Sequence, residues 1–212
     1  MKAQKKAIAS EEPNRLDQIY YVAAKIFCEK GYDATSMSDI AHAVGITKAG
    51  IYHYVASKQD LLFAIMNFGM DRLENRVITP ARAVAGAEQR LRTIIRNHAL
   101  LIIEGSALQG YNPVTVLNDE MAGLTTAHHR KVLQRKRIYL DLLRDTLQQL
   151  KEEGKLKEVD VTVAAFSLFG MLLWLSRWYH PDGKLTGEEV ANEIEKIALG
   201  GIMRPQARLA RK

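Results

Sequence analysis

The apolar residues of this chain recur with the 3.6-residue spacing of an amphipathic helix from end to end, and no segment keeps the alternation typical of a strand. Leu16, Ile19 and Phe27 illustrate the pattern, since they share one stripe and Gly31 follows at a typical helix end. The spacing predicts an all-α protein with nine helical segments. A length of 212 residues with 47% hydrophobic composition allows one or two domains with a real core.

Three helix starts follow one another closely between residues 36 and 60. The segment from Ser36 to Asp39 reads as an N-cap with an acid three residues later, and Gly45 marks the end of that helix. Thr47 caps the next helix, and the segment from Ser57 to Asp60 caps another. A capped helix, a glycine-containing turn and a second capped helix predict a helix-turn-helix, which lays its second helix in the DNA major groove.

The second of these helices carries the candidate base contacts. Ile46 and Ile51 occupy the two positions of a hydrophobic staple, so Ile51 should face the core and Ala49 and His53 should face away from it. The alanine methyl suits a thymine methyl, His53 suits base edges, and Lys48 suits guanine acceptors. Hydroxyls, an ammonium group and free backbone N–H groups at the edges suit phosphates. The predicted DNA contacts are Ser36, Thr47, Lys48, Ala49, Gly50, Tyr52, His53, Tyr54 and Lys58.

Net charge alone does not identify a DNA-binding protein here. The chain carries a formal charge of +6, but residues 1 to 60 hold eight Lys or Arg against seven acids. Most of the positive excess lies elsewhere, notably in the segment from Arg130 to Arg137 and in the C-terminal tail. The placement of individual side chains must therefore decide the function.

The segment from Gly31 to Met66 resembles the DNA-binding head of the TetR family of bacterial transcriptional regulators. The shared elements are Gly31-Tyr32, Ile40-Ala41, Tyr52-His53-Tyr54 and Ser57-Lys58, with Val55 where the family usually has phenylalanine. The resemblance implies a nine- to ten-helix TetR-type fold with a helix-turn-helix head and a C-terminal ligand-binding and dimerisation domain. It also implies a homodimer formed through the last two long helices, an operator in double-stranded DNA, and repression that a small-molecule effector relieves.

The predicted domain boundaries follow from these assignments. We expect a flexible tail at 1–12, a DNA-binding domain at 13–62, a ligand-binding and dimerisation domain at 63–203, and a basic tail at 204–212. The helix that begins after Ser57 should end before Pro80, and Gly69 is a candidate bend within it. A further helix should begin near Pro113.

The helix expected at 126–153 places a lysine on its apolar stripe. With Val132 at the centre of the stripe, both His129 and Lys136 fall on the same side. The side chain of Lys136 either lies along the edge of the stripe and pairs with an acid, or contacts an anionic ligand. The candidate acids for the first alternative are Glu104, Asp119 and Glu120.

The helix expected at 161–179 is apolar on all sides. One face collects aromatic side chains around a glycine, and this pattern is typical of either a pocket wall or a dimer interface. The segment from Trp174 to Ile202 resembles TetR-family members that control fatty-acid, phenylacetate and steroid breakdown and respond to acyl-coenzyme A thioesters. The resemblance rests on Trp174, Arg177-Trp178-Tyr179, Pro181, Gly183 and Gly200-Gly201, while Gly170 stands where some members have a basic residue. The predicted ligand contacts are His129, Lys136, Phe166, Gly170, Trp174, Arg177 and Trp178.

Other functions have less support. The single cysteine, Cys28, excludes an internal disulfide and fits a reducing, cytoplasmic setting, and no catalytic, metal or cofactor motif is evident. The apolar run at 163–175 is shorter than the about 20 residues that span a bilayer, so we expect no membrane association. An enzyme and a lipid carrier stay as alternatives of a different class. Within the regulators, a multidrug-responsive repressor of an efflux gene is the main alternative.

Overall fold

The computed structural model describes residues 15–109, 113–114 and 121–205, and the all-α prediction is confirmed. Within these ranges the only β-structure is an isolated bridge between Leu156 and Met203. A π-turn covers Glu74–Ile78 and a 3-10 turn covers Met121–Gly123. The α-helices are α1 (Arg15–Lys30), α2 (Met37–Val44), α3 (Lys48–Ile51), α4 (Lys58–Leu73), α5 (Thr79–Ala83), α6 (Ala87–Gln109), α7 (Thr126–Glu152), α8 (Val161–Trp178) and α9 (Gly187–Ile202).

Helices α1 to α4 form the head, and their ends match the caps that the sequence predicts. The Ser36 side chain accepts a hydrogen bond from the Asp39 amide, and the Asp39 carboxylate accepts one from the Ser36 amide. Gly45 ends α2 with a φ of 76°, a left-handed conformation that favours glycine. Fully buried apolar side chains fill the interior, including Ile19, Phe27, Ile40, Ile51 and Leu61.

The helical path does not end before Pro80, contrary to the sequence-based expectation. Helix α4 continues through the π-turn into α5, and Pro80 lies in the first turn of α5. The Thr79 amide bonds the Glu74 carbonyl, five residues back. The first turn of a helix tolerates a proline because its N–H groups lack partners within that helix, and the π-turn lets the path continue without a break.

Gly69 allows a close approach between backbones. A Cβ atom at Gly69 would lie 3.0 Å from the carbonyl oxygen of Pro113. The glycine thus allows the chain at 113–114 to pack against α4, and the departure from α-helical hydrogen bonding lies further on, at the π-turn. Pro113 and Val114 are helical, as expected for a helix that begins there, and the residues that follow lie outside the described ranges.

Helix α6 is the centre of the regulatory part, which comprises α6 to α9. It packs against α7, α8 and α9. The end of α9 is tied to the α7–α8 connection, because the Lys157 ammonium donates to the carbonyls of Gly200 and Gly201 and the Arg204 amide donates to Lys155. The predicted tail at 1–12 and residues 206–212 of the predicted basic tail lie outside the described ranges.

Helix α8 is long and apolar enough to cross a membrane by length and composition alone, yet it packs on α6 and α7 within the fold. Only 28% of it is buried within this chain. Large apolar side chains are therefore exposed on α8 and on its neighbour α9. We call Val163, Trp174, Trp178 and Ile197 the exposed apolar face.

Candidate DNA-binding surface and effector cavity

Helix α3 is short and is fixed at both ends. The Thr47 hydroxyl accepts a hydrogen bond from the Gly50 amide at 3.0 Å, and Ile51 is fully buried while Ile46 packs against the core. The α-helix ends at Ile51, whereas the prediction extended its 100° spacing through His53. The amides of His53 and Tyr54 bond carbonyls three residues back, which makes this last turn tighter than an α-helix.

The side chains predicted to read DNA are nevertheless solvent-accessible. Lys48, Ala49 and His53 are exposed, and Tyr52 and Tyr54 expose 45% and 44% of their surface. Exposed aromatic side chains beside a capped helix start are available to phosphates and base edges. Thr47 is exposed at the cap, and half-buried Gly50 keeps the backbone accessible.

Two of the predicted phosphate contacts already bond within the head. The Ser36 hydroxyl donates to the Asp39 carboxylate at 2.7 Å. The Lys58 ammonium donates to the carbonyls of Tyr32 and Thr35, both at 2.9 Å, and lies 4.3 Å from the centre of the Tyr32 ring. Phosphate contacts by Ser36 and Lys58 stay predictions, and each would require these internal bonds to be exchanged.

The charge of Asp39 also bears on this surface. Hydrogen bonds from the Ser36 hydroxyl and amide hold the pKa of the Asp39 carboxyl below its usual value. A carboxylate at the start of α2 stabilises the helix, because it faces the positive end of the helix dipole. It also repels phosphates, so the start of α3, which has no acid in its first turn, is the better anchor for DNA.

A cavity of about 930 Å³ lies among α4, α6, α7 and α8. Its lining combines a buried set and an exposed set of residues. We call the buried set the cavity floor: Met70, Leu73, His98, Val114 and Tyr139. We call the exposed set the cavity mouth: Arg130, Leu133, Gln134, Arg137, Phe166 and Gly170. Between them lie Lys136, Leu140, Phe169 and Leu173.

The structure divides the predicted ligand contacts into two groups. Lys136, Phe166 and Gly170 line the cavity. The other four lie outside its lining, namely His129, Trp174, Arg177 and Trp178. The two tryptophans expose 65% and 48% of their surface, because they belong to the outer side of α8. These four residues were predicted to line the pocket, and the structure does not place them in its lining.

The floor is the part of the cavity that the sequence did not indicate. Met70, His98 and Tyr139 come from three different helices and meet only through tertiary packing. Met70 and Tyr139 read as ordinary members of an apolar stripe. His98 is a polar residue in such a stripe, and the structure shows that it is only 2% exposed, so it needs a polar partner.

The mouth is basic, and the lining residues that the structure describes include no acid. Arg130 and Arg137 lie at the mouth, and Lys136 lies half-buried behind them. Burial lowers the pKa of the Lys136 ammonium, as expected for a cation withdrawn from water. The cavity therefore suits a ligand with an anionic part outside and an apolar part inside.

The polar pair on the floor is internally bonded. The Tyr139 hydroxyl lies 3.0 Å from His98 Nδ1. Burial raises the pKa of Tyr139 and lowers the pKa of His98 to about 4, so both side chains are neutral near pH 7. His98 Nε2 is buried and has no hydrogen-bond partner in the structure.

Helix α7 joins the cavity to the head. Gly123, just before α7, is packed so closely that an added Cβ would lie 2.8 Å from side-chain atoms of Leu62 and Tyr32. The His128 ring stacks on Phe63 of α4 with 3.9 Å between ring centres. Further along α7, Arg135 donates to the Asp71 carboxylate at 2.6 Å. A shift of α7 at the cavity would thus be transmitted through these contacts to α4 and the head.

In residues 15–109, 113–114 and 121–205, no group of three His, Cys, Asp or Glu side chains is arranged to hold a metal ion. Cys28 is half-buried on α1.

Residues 19–65 match the family model described as "Bacterial regulatory proteins, tetR family", and residues 84–202 match "Tetracyclin repressor-like, C-terminal domain". The second match alone spans more than half of the chain. The HTH-type transcriptional repressor KstR2 of Mycobacterium tuberculosis (strain ATCC 25618 / H37Rv) is 28% identical over 199 residues, covering 92% of this chain and 96% of the relative. The fatty acid metabolism regulator protein of Bacillus subtilis (strain 168) is 25% identical over 187 residues, covering 87% and 94%.

Solved structures give the same picture. AibR in complex with isovaleryl coenzyme A and operator DNA is 38% identical, with a TM-score of 0.76, and the match covers 87% of this chain and 97% of AibR. The ketosteroid transcriptional regulator KstR2 of Mycobacterium tuberculosis superimposes with a TM-score of 0.79 at 26% identity, covering 94% and 100%.

Proposed function

Since the chain belongs to the TetR family of transcriptional regulators, we propose that it is a cytoplasmic, homodimeric repressor that an acyl-CoA thioester releases from its operator. Members of the family are DNA-binding regulators, so the chain is a regulator and not an enzyme. The proposal adds the effector class, the assembly and the direction of control.

The cavity carries the proposal for the effector. A coenzyme A thioester is polyanionic at one end and apolar at the other, and the cavity has a basic mouth and a mostly apolar interior. Arg130 and Arg137 would pair with phosphates through charge-assisted hydrogen bonds, while Phe166 and Phe169 would contact the acyl portion. The similarity to AibR, which was solved with isovaleryl coenzyme A, supports the same class.

The lining favours this effector over a cationic drug. Sites for lipophilic cations need acidic groups to balance the buried charge, because an unpaired buried charge is costly. Among the residues that the structure describes, no acid contributes to the lining and three basic side chains do. A multidrug-responsive efflux repressor is therefore the weaker alternative.

The exposed apolar face supports a homodimer through α8 and α9. Val163, Trp174, Trp178 and Ile197 expose between 48% and 65% of their surface. Exposed apolar patches of this kind mark association surfaces, and a two-fold axis lets one patch pair with its own copy. In the proposed dimer the face is covered by the partner subunit, without any role for a membrane.

The head supplies the DNA contacts of the proposal. Two copies of α3 would enter successive major grooves of a palindromic operator, with centres about 34–36 Å apart or a multiple of one helical turn. Lys48, Ala49 and His53 would read base edges, and Thr47, Tyr52 and Tyr54 would contact phosphates. Ligand binding would move α7 and α4 through the packing around Gly123 and His128, and so change the spacing of the two α3 helices.

The test measures operator binding by fluorescence anisotropy on the DNA upstream of the protein's own gene. Isovaleryl-CoA and octanoyl-CoA should lower operator affinity, while free coenzyme A and the free acids should not. Arg130→Gln combined with Arg137→Gln should raise the thioester concentration needed for release at least 10-fold. Arg144→Gln is the matched control, since Arg144 is exposed on the same helix and lies outside the cavity lining. Release by the free acid as effective as release by its thioester would contradict the proposal.

A further inference from the structure

The cavity floor contains a hydrogen-bonding atom that no described residue uses. His98 is 2% exposed on α6 and lines the cavity, and its Nε2 atom has no partner. The floor residues around it, Met70, Leu73 and Val114, offer only apolar side chains. Buried polar atoms in proteins are nearly always paired, so an unpaired one in a residue that lines a cavity points to a partner that enters with the ligand. Because Nε2 is itself buried, neighbouring side chains must move before a ligand atom can reach it.

The hydrogen bond between Tyr139 and His98 bears on which kind of partner is needed. The Tyr139 hydroxyl lies 3.0 Å from His98 Nδ1, and the tautomer of His98 sets the direction of this bond. In the arrangement that we adopt, the phenol donates its one hydrogen to Nδ1. A neutral imidazole that accepts at Nδ1 carries its proton on Nε2. Because His98 is neutral near pH 7, Nε2 presents one N–H donor and calls for an oxygen acceptor.

The depth of the floor determines which part of the ligand supplies that oxygen. The phosphates of a thioester belong at the mouth with Arg130 and Arg137, and the far end of the acyl group is then the part that reaches the buried floor. An unsubstituted alkyl end leaves the Nε2–H unpaired, whereas an oxo or hydroxy group pairs with it.

We propose that His98 is a specificity-determining residue, and that its Nε2–H donates to an oxo or hydroxy oxygen carried by the acyl group beyond the thioester. This inference rests on the proposed function and narrows its effector to oxygenated acyl-CoA thioesters. Tyr139 is a positioning residue, because it fixes the tautomer of His98 without contacting the ligand oxygen.

The experiment compares octanoyl-CoA with 3-, 5- and 7-oxooctanoyl-CoA by isothermal titration calorimetry on the full-length protein. Among the oxo isomers, one should bind at least 10-fold more tightly than octanoyl-CoA. In His98→Leu this preference should fall below threefold, because the donor is gone. His98→Gln keeps an N–H donor and should retain part of the preference for the oxo isomer. Tyr139→Phe should reduce that preference, because the tautomer of His98 is then no longer fixed.

Nitrogen-15 NMR of the histidine rings in the wild-type protein tests the inference without any variant. The His98 ring should be neutral with its proton on Nε2, and the resonance of that proton should shift when the preferred oxo isomer is added. A ring protonated on Nδ1 instead would overturn the inference, as would an oxo preference that survives in His98→Leu.

The outcomes separate the two proposals. Thioesters that bind and release DNA without regard to the oxo group would overturn the role of His98 and leave the proposed function standing. An equal loss of affinity for all four thioesters in His98→Leu would mean that His98 bonds the thioester carbonyl, which also overturns the inference. No binding by any thioester would overturn both proposals.

Discussion

The head and the regulatory part use their interiors in opposite ways. The head buries Phe27, Ile51 and Leu61 completely, and its candidate DNA contacts lie on the outside. The regulatory part encloses a cavity of about 930 Å³, and its proposed ligand contacts line the inside. Tight packing thus serves the part that must present a fixed surface to DNA, whereas a partly open interior serves the part that must respond to a ligand.

The largest change in the free energy of unfolding should come from replacing a leucine with alanine, and this change should differ between the two regions. Leu61→Ala in the head removes a fully buried side chain and should lower the free energy of unfolding by about 2–5 kcal/mol. Leu133→Ala at the cavity mouth removes a side chain that is 46% exposed, and should cost less than about 1 kcal/mol. Urea denaturation measures both. Equal losses would remove the contrast between the two interiors.

A pH effect should follow from the floor of the cavity. Burial lowers the pKa of His98 from 6.5 to about 4, so the unfolded chain binds more protons than the folded protein between these values. The stabilising contribution of neutral His98 is complete above pH 6.5 and declines as the pH falls toward 4. Between pH 7 and pH 5 the wild type should lose about 2 kcal/mol more stability than His98→Gln.

The head provides the control for this measurement. His53→Gln replaces an exposed histidine of the DNA-binding surface and is measured alongside His98→Gln, so that the loss of a histidine outside the cavity can be compared. If His98→Gln and the wild type declined in parallel, a neutral buried His98 would be ruled out.

Two lysines of the head should behave differently although both were predicted to contact DNA. Lys58→Met removes the bonds to the carbonyls of Tyr32 and Thr35 and should lower stability by about 1.5 kcal/mol. Lys48→Met removes an exposed side chain, so stability should stay within about 0.5 kcal/mol while operator affinity and base preference fall. Chemical denaturation and operator titration at several salt concentrations distinguish them. If the operator affinity of Lys58→Met depended less steeply on salt concentration while its stability stayed unchanged, the predicted phosphate contact of Lys58 would be supported.

Removal of a helix-capping side chain should lower the free energy of unfolding by the same small amount in both regions. Ser36→Ala in the head and Thr186→Ala in the regulatory part each remove the side chain of a capping box, and each should cost about 1 kcal/mol. The caps are local structures, so the stability that they contribute should not depend on whether the interior nearby is tightly packed or open. A loss in one region that is more than twice the loss in the other would show that tertiary packing sets the value of a cap.

Local signals explain why the head was largely predictable from the sequence. Ser36, Thr47 and Ser57 each cap the helix that follows them, as their spacing predicts, because a cap depends only on the next three residues. The exposure of Lys48 and His53 follows from the same local rules once Ile51 is placed in the core.

The cavity was harder to predict because it depends on how separate helices meet. The apolar periodicity of α8 was correct, but periodicity gives no direction for a helix that is apolar on every side. Periodicity could not predict that Phe166 and Gly170 line the cavity while Trp174 and Trp178 lie outside it. The approach of His98 to Tyr139, 41 residues apart, has no local signature.

The shortness of α3 has a consequence for how such regulators diversify. A single turn of helix is not stable alone, so its conformation depends on the Thr47 cap and on buried Ile51. The exposed residues between and after them contribute little to holding it in place. Mutation can therefore change Lys48, Ala49 and His53 nearly freely, and a duplicated gene can acquire a new operator without first acquiring a more stable protein.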